Sequence, residues 1–241
     1  MSDLAGLVVL VAGASSGMGR ATALAAAAAG ARVALVARRA EALAAVRDAI
    51  EATGGEALVV PADATDPDAL AAAVDRTVRQ FERIDVAVNS VGTNIPERAL
   101  VDLRPAGWRE LVAVNLDAAY LLTQAVLPTF RRQRDGLLIH ISSAAAKRPD
   151  RSGVGYQATK AGVAALAHAV MEEERANGVR TTVVFPGFTD TPMVERRPVP
   201  PTDQELAMAL RPEDVAQMCL AVMALPARAH VPELLLYPST S

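Results

Sequence analysis

One cysteine, Cys219, stands alone in 241 residues. A disulfide within the chain is excluded, and so is a cysteine-based zinc site. No metal is expected, and a reducing, cytoplasmic compartment is the natural setting. Basic runs are short and the net charge is −3, which leaves no electrostatic footprint for nucleic acid. The N-terminal stretch lacks the basic flank of a secretory signal. Its apolar run, residues 7–14, falls well short of the roughly 20 residues that span a bilayer, and no other segment reads as a span, so no membrane partner is expected. Aromatic residues are scarce, at 3%, yet 51% of the chain is apolar. That composition makes a globular protein, because disorder needs low hydrophobicity and high charge. There is no Ser/Gly linker and no sharp change in composition, so residues 1–241 read as a single domain.

Short apolar runs alternate with longer alanine-rich stretches of helical character. The runs lie at 7–12, 32–37, 57–61, 84–89, 137–142, 180–185 and 231–237. They are rich in Val, Ile and Leu with little polar alternation, as strands covered on both faces are. The helical stretches lie at 17–29, 41–52, 67–81, 106–130, 156–177 and 212–224. This rhythm predicts an α/β fold: a Rossmann-type, doubly wound three-layer sandwich around a seven-stranded parallel sheet. Residues 187–210 are the least regular part, with prolines at 192, 198, 200 and 201. A stretch of that length reads as a substrate lid.

The first strand runs straight into Gly13-Ala14-Ser15-Ser16-Gly17-Met18-Gly19 and then a helix. Glycines let backbone approach a ligand closely, and a helix N-terminus presents unpaired N–H groups to a pyrophosphate. The bland alternative is a tight turn with no ligand. The second strand ends in Ala37-Arg38-Arg39. A carboxylate there accepts the ribose hydroxyls of NAD, whereas an arginine forks onto the 2′-phosphate of NADP(H). NADP(H) is therefore the expected cofactor, unless Arg38 and Arg39 only solvate the next helix. Tyr156 and Lys160 are four residues apart and share one helix face. An ammonium beside a phenol draws its pKa down toward neutrality and makes it a proton donor or acceptor. Thirteen residues earlier a strand ends in Ser142-Ser143, where one hydroxyl can donate to a carbonyl oxygen. Strand alternation turns Ser142 away from Ser143.

These motifs, in this order, resemble the short-chain dehydrogenase/reductase family, whose glycine turn has the spacing G-x-x-x-G-x-G. The likeness runs from Gly13 to the closing strand. It implies an oxidoreductase that moves hydride between NADP(H) and a carbonyl or secondary alcohol, with Tyr156 as general acid/base. Asn115, Ser143, Tyr156 and Lys160 would be catalytic, Asn115 holding a relay water in a kinked helix. Gly13, Ser15, Ser16, Gly17, Met18, Gly19, Arg38, Arg39, Asp63, Ala64, Asn89 and Gly92 would border the cofactor. So would Tyr156, Lys160, Pro186, Gly187, Thr189 and Thr191. The chain departs from the family pattern at Ala12, Ser90, Val91 and Thr189. The resemblance also implies a homotetramer, or a homodimer, acting on a small molecule. Lys147, Arg148, Arg151, Arg196 and Arg197 sit on the expected substrate walls, either selecting an anion or simply solvated. The rival reading is a non-catalytic NADPH-binding regulator.

Overall fold

The computed structural model describes residues 3–239 and builds the expected sandwich. Seven strands, β1 (Val8–Ala12), β2 (Arg32–Ala37), β3 (Glu56–Pro61), β4 (Val86–Asn89), β5 (Gly136–Ile141), β6 (Val179–Pro186) and β7 (Glu233–Leu236), form one sheet in the order β3-β2-β1-β4-β5-β6-β7. Every pairing is parallel. Strand periodicity divides β1 between two cores. Val9 and Val11 join a cluster with Leu43, Val46, Ile50 and Cys219, while Val8, Leu10 and Ala12 join one with Leu70, Val74, Leu122 and Phe130.

The first cluster lies under α1 (Gly17–Ala28), α2 (Ala40–Glu51) and α8 (Pro212–Met223); the second lies under α3 (Pro67–Phe81) and α5 (Ala118–Gln133). The remaining helices are α4 (Pro105–Val112), α6 (Val154–Glu174) and α7 (Asp203–Met208). The strand order reverses between β1 and β4, and a crevice opens at the carboxyl ends of strands at such a point.

The kink that the resemblance implies within 106–130 takes the form of a π-turn at Ala113–Asp117, between α4 and α5, while two other sequence expectations change. The whole stretch, Pro105–Gln133, is long and apolar enough by composition to cross a membrane, contrary to the sequence reading. It carries Arg109, Glu110, Asn115 and Asp117, and Leu122, Val126 and Phe130 are buried in the protein's own core. The stretch 187–210 is more ordered than its prolines suggest. It holds a 3-10 turn at Pro192–Arg196, and α7 is closed by a capping box in which Thr202 and Glu205 satisfy each other's backbone N–H. A bridge between Thr189 and Leu210 ties its two ends together, and Arg211 pairs with Asp190 at 2.7 Å.

Candidate active site

A cleft of about 620 Å³ lies over the β1–β4 switch, lined by the 13–18 turn, residues 36–39, 62–65, 90–93 and the start of the 187–210 segment. Its floor depends on Gly13. The residue has φ +86°, and a Cβ there would fall 2.8 Å from the Ser90 carbonyl group. Backbone can pass this close to β4's end only without a side chain. The Gly13 and Ala14 amides both donate to the Val36 carbonyl, at 2.8 and 3.2 Å, which ties the turn to β2.

Above this turn, α1 starts with no side-chain cap and no acidic residue in its first turn. Its leading N–H groups thus face the cleft beside Ser15 and Ser16, a donor set suited to a dinucleotide's pyrophosphate. Gly19 packs so tightly that a Cβ would sit 2.3 Å from the Gly13 carbonyl oxygen. Arg38 and Arg39 are exposed on the same rim. Asp63 accepts from the Thr65 amide and hydroxyl at 2.9 and 2.8 Å. The Thr65 amide, chiefly, holds its carboxyl below the usual range, and the Arg38 charge adds to this. Ala64 lies beside it. Glycines, free helix N–H groups, basic side chains and the Asp63 carboxylate together line a cleft of the kind that holds a dinucleotide.

The residues expected to react lie next to Gly92, on the cleft wall. Asn89 is buried; its Oδ1 accepts from the Val91 amide at 3.1 Å and its Nδ2 meets His140 Nδ1 at 3.4 Å. It holds the end of β4 in place. A Cβ on Gly92 would lie 3.0 Å from Lys160 Nζ, so the chain turns directly over the lysine. Ser142 and Ser143 diverge as the strand pleat requires. Ser142 is buried and donates to the Lys160 carbonyl at 2.8 Å, whereas Ser143 is half-buried and acts on the Tyr156 phenol.

Asn115 is wholly buried in the π-turn. Its Oδ1 accepts from the Thr93 amide at 2.7 Å, and its Nδ2 reaches the Thr93 carbonyl and Thr159 Oγ1, both at 3.1 Å. Its side-chain amide thus joins the 93 loop to α6. A π-turn is a frequent device at functional sites, because it displaces a residue from the regular ladder.

The ionisation expected of Tyr156 is not what the surroundings impose. Burial raises its pKa above the usual 10, outweighing the Ser143 hydrogen bond and the Arg98 charge, which work downward. Lys160 Nζ lies 5.8 Å from the Tyr156 ring centroid and donates to the Ile141 carbonyl at 3.2 Å. Burial brings that amine down to about 8, so near neutrality it still carries its charge for the most part. The reason for the reversal is physical: an ammonium lowers a phenol's pKa only when it outweighs the desolvation of the phenolate.

At the end of β6, Gly187 N–H donates to the Leu236 carbonyl at 2.7 Å, which anchors the Pro186–Gly187 turn to β7. Thr189 is buried and its hydroxyl donates to the Gly187 carbonyl at 3.0 Å. Thr191 lines the cleft, with its Cβ 3.5 Å from where a Cβ on Gly17 would stand. Of the residues expected at the site, Gly13, Ser15, Ser16, Gly17, Met18, Arg38, Arg39, Asp63, Ala64, Gly92 and Thr191 line the cleft, whereas Gly19, Asn89, Asn115, Ser143, Tyr156, Lys160, Pro186, Gly187 and Thr189 are not among its lining residues. Thr93, Arg98 and His140 are additions. His140 had a visible trace, a polar residue inside an apolar strand run. Thr93 and Arg98 lie in an irregular loop that no periodicity marks.

Comparison with known proteins places this geometry. Residues 7–200 match the family described as short chain dehydrogenase. A 3-oxoacyl-acyl-carrier-protein reductase of Synechocystis is 35% identical over 234 residues, covering 96% of this chain and 94% of the relative. A cis-4-hydroxycyclohexanecarboxylate dehydrogenase of Sinomonas cyclohexanicum is 34% identical, covering 93% and 91%. Among solved structures, a metagenomic short-chain oxidoreductase in complex with NADP superposes with TM-score 0.85 at 35% identity over 99% of both chains. An alcohol dehydrogenase of Thermococcus sibiricus complexed with 5-hydroxy-NADP gives 0.87 at 26% identity, over 98% and 97%.

Proposed function

Because the chain belongs to the short-chain dehydrogenase/reductase family of oxidoreductases, we propose that it interconverts a secondary alcohol and its carbonyl compound with NADP(H). The observation that carries this reading is the meeting of Ser143, Tyr156 and Lys160 beside a phosphate-binding turn. NADP(H), when bound, supplies or accepts the hydride.

The chain's own residues manage the oxygen and its proton. Ser143 donates a hydrogen bond to the carbonyl oxygen and stabilises the charge that builds there. Tyr156, kept protonated by its burial, gives that oxygen its phenolic proton. The nearby amine of Lys160 stabilises the phenolate left behind. In the reverse direction the phenolate takes the alcohol's proton. Asn115 and Thr159 hold α6 against the 93 loop, and so fix the distance between the phenol and the cleft.

The preference for NADP(H) rests on Arg38 and Arg39 at the rim, where Ala37 stands in place of a carboxylate. The two relatives solved with NADP or its derivative support it. Assembly as a homotetramer or homodimer belongs to the same reading. Trp108 and Tyr120 leave aromatic surface 41% and 45% exposed on the stretch that resemblance puts at a subunit contact. Sedimentation as a single chain would remove that part alone.

The test is a panel of ketones, keto acids and secondary alcohols with NADPH or NADP⁺, followed at the nicotinamide absorbance. Tyr156→Phe should lower turnover by about a hundred- to ten-thousandfold with NADPH affinity retained. Arg38→Ala should weaken NADPH binding by roughly tenfold or more and leave NADH unchanged. Full turnover by the phenylalanine variant sinks the proton-transfer role, and equal affinity for the two cofactors sinks the preference.

A further inference from the structure

The basic side chains expected on the substrate walls are partly spoken for. Lys147 pairs with Glu233 at 2.6 Å, and the Arg148 guanidinium lies 5.7 Å from the centre of the Tyr237 ring. Arg98, which the sequence did not single out, is the one brought to the catalytic helix. A Cβ on Gly153 would fall 2.5 Å from the Arg98 carbonyl oxygen and 2.7 Å from its Cβ, and Gly153 has φ +94°. Only a glycine there lets the 94–98 loop lie on the start of α6. Asn94 Nδ2 fastens the same loop by donating to the Ser152 carbonyl at 2.9 Å.

The Arg98 guanidinium donates from Nε to the Ile95 carbonyl at 3.0 Å and from Nη2 to the Arg196 carbonyl at 2.6 Å. Arg196 in turn donates to Thr93 Oγ1 at 2.8 Å. These bonds hold the fork in place and leave donors on Nη1 and Nη2 without an acceptor among the described residues. None of Arg98, Arg196 and Arg197 has a carboxylate at ion-pairing distance among the described residues. Arg197 rests on the Phe188 ring at 4.1 Å. It is near enough to Arg98 to lower that guanidinium's pKa, after burial, while the Tyr156 phenol and Asp150 act the other way. Asp150 is itself turned onto the Ser152 amide at 2.8 Å and its hydroxyl. The Arg98 guanidinium is thus held by backbone carbonyls, on a loop that lies against the start of α6, about one turn before Tyr156.

We infer that Arg98, with Arg197 beside it, binds a carboxylate of the substrate, so that the enzyme's substrate class is keto acids and hydroxy acids rather than neutral ketones and alcohols. This rests on the oxidoreductase reading above. A planar guanidinium edge takes the two oxygens of a carboxylate in parallel, which a lysine cannot match. An anion there also relieves the repulsion between the two arginines.

The test compares acetoacetate and levulinate with their ethyl esters, using NADPH and the wild-type, Arg98→Ala and Arg98→Lys proteins. Wild type should favour an acid over its ester by at least tenfold in kcat/KM. Arg98→Ala should raise KM for the acid by roughly ten- to a hundredfold, the range expected for losing charge-assisted hydrogen bonds. The ester should be unaffected, and the lysine variant should recover only part of the loss. Esters used as well as acids by wild type, or reduction of neutral ketones alone, overturns the inference and leaves the oxidoreductase reading standing. An equal loss for acid and ester in the alanine variant also overturns it, by making Arg98 a strap between two loops. If no compound oxidises NADPH, the oxidoreductase reading fails. Calorimetric titration of levulinate into the NADP⁺-loaded proteins still decides the residue: binding by wild type but not by Arg98→Ala supports the site, and anything else removes it.

Discussion

Two sites hold titratable groups where charge is costly, the half-buried Tyr156 with the buried Lys160 and the buried His140, and each leaves a signature in pH. Tyr156 is held above its usual pKa and Lys160 is brought down to about 8. A protonated phenol serves carbonyl reduction directly, so the reductive kcat/KM is expected to stay level through neutrality and fall only in alkali. Alcohol oxidation needs a proton acceptor and is expected to rise as pH climbs through 8 and beyond. A reductive rate that collapses between pH 6 and 8 would contradict the raised phenol. His140 is the second case. It is fully buried, with Nδ1 on Asn89 and Nε2 unpartnered among the described residues. Burial, and to a lesser degree the Lys160 charge, lowers its pKa from 6.5 to about 4. The unfolded chain therefore takes up the proton first as pH falls. The neutral ring is fully accommodated above 6.5, and stability drains away between 6.5 and 4, by about 3 kcal/mol once developed. Urea midpoints at neutral pH and near pH 4 should show a shallower pH dependence for His140→Asn; identical slopes would place the acid sensitivity elsewhere.

Between elements, the decisive contact is the one between the glycine turn and the end of β4. Gly13 and Gly6 both have positive φ, at +86° and +82°, but a Cβ on Gly13 meets Ser90 at 2.8 Å whereas one on Gly6 meets nothing within 4 Å. Alanine at Gly6 carries backbone strain alone, of about 1 kcal/mol. Alanine at Gly13 adds a collision with backbone that cannot step aside, and should cost about 2–3 kcal/mol and weaken NADPH binding at least tenfold. Thermal unfolding and cofactor titration of the pair separate strain from collision; matching losses would mean that the turn gives way freely. The break in the 105–133 stretch is also an event between elements. Its residues read as one apolar helix, and nothing in their periodicity marks Ala113–Asp117 as a π-turn. The turn follows from Asn115 bonding to Thr93 and Thr159, partners that lie in other parts of the chain.

Across the whole molecule, Cys219 reports on how the layers hold. It faces the core shared by β1, α1, α2 and α8, is fully buried, and has its thiol pushed up to about 12. A disulfide reagent should find one thiol after unfolding and essentially none before, with a labelling rate that follows global opening. Rapid labelling of the folded protein would show that the α1–α8 layer opens by itself. The sequence alone determined the parallel sandwich, because strands covered on both faces must be apolar throughout and each needs a helix to return. It also determined the glycine turn at 13–19 and the Tyr156–Lys160 pair, since both are encoded by spacing within one or two turns of chain. Tertiary structure decided which way the phenol's pKa moves, how Asn115 spends its amide, and that the Arg98 loop packs on the start of α6. Those outcomes depend on burial and on contacts between loops far apart along the chain, and desolvation and distance exist only once the chain has folded.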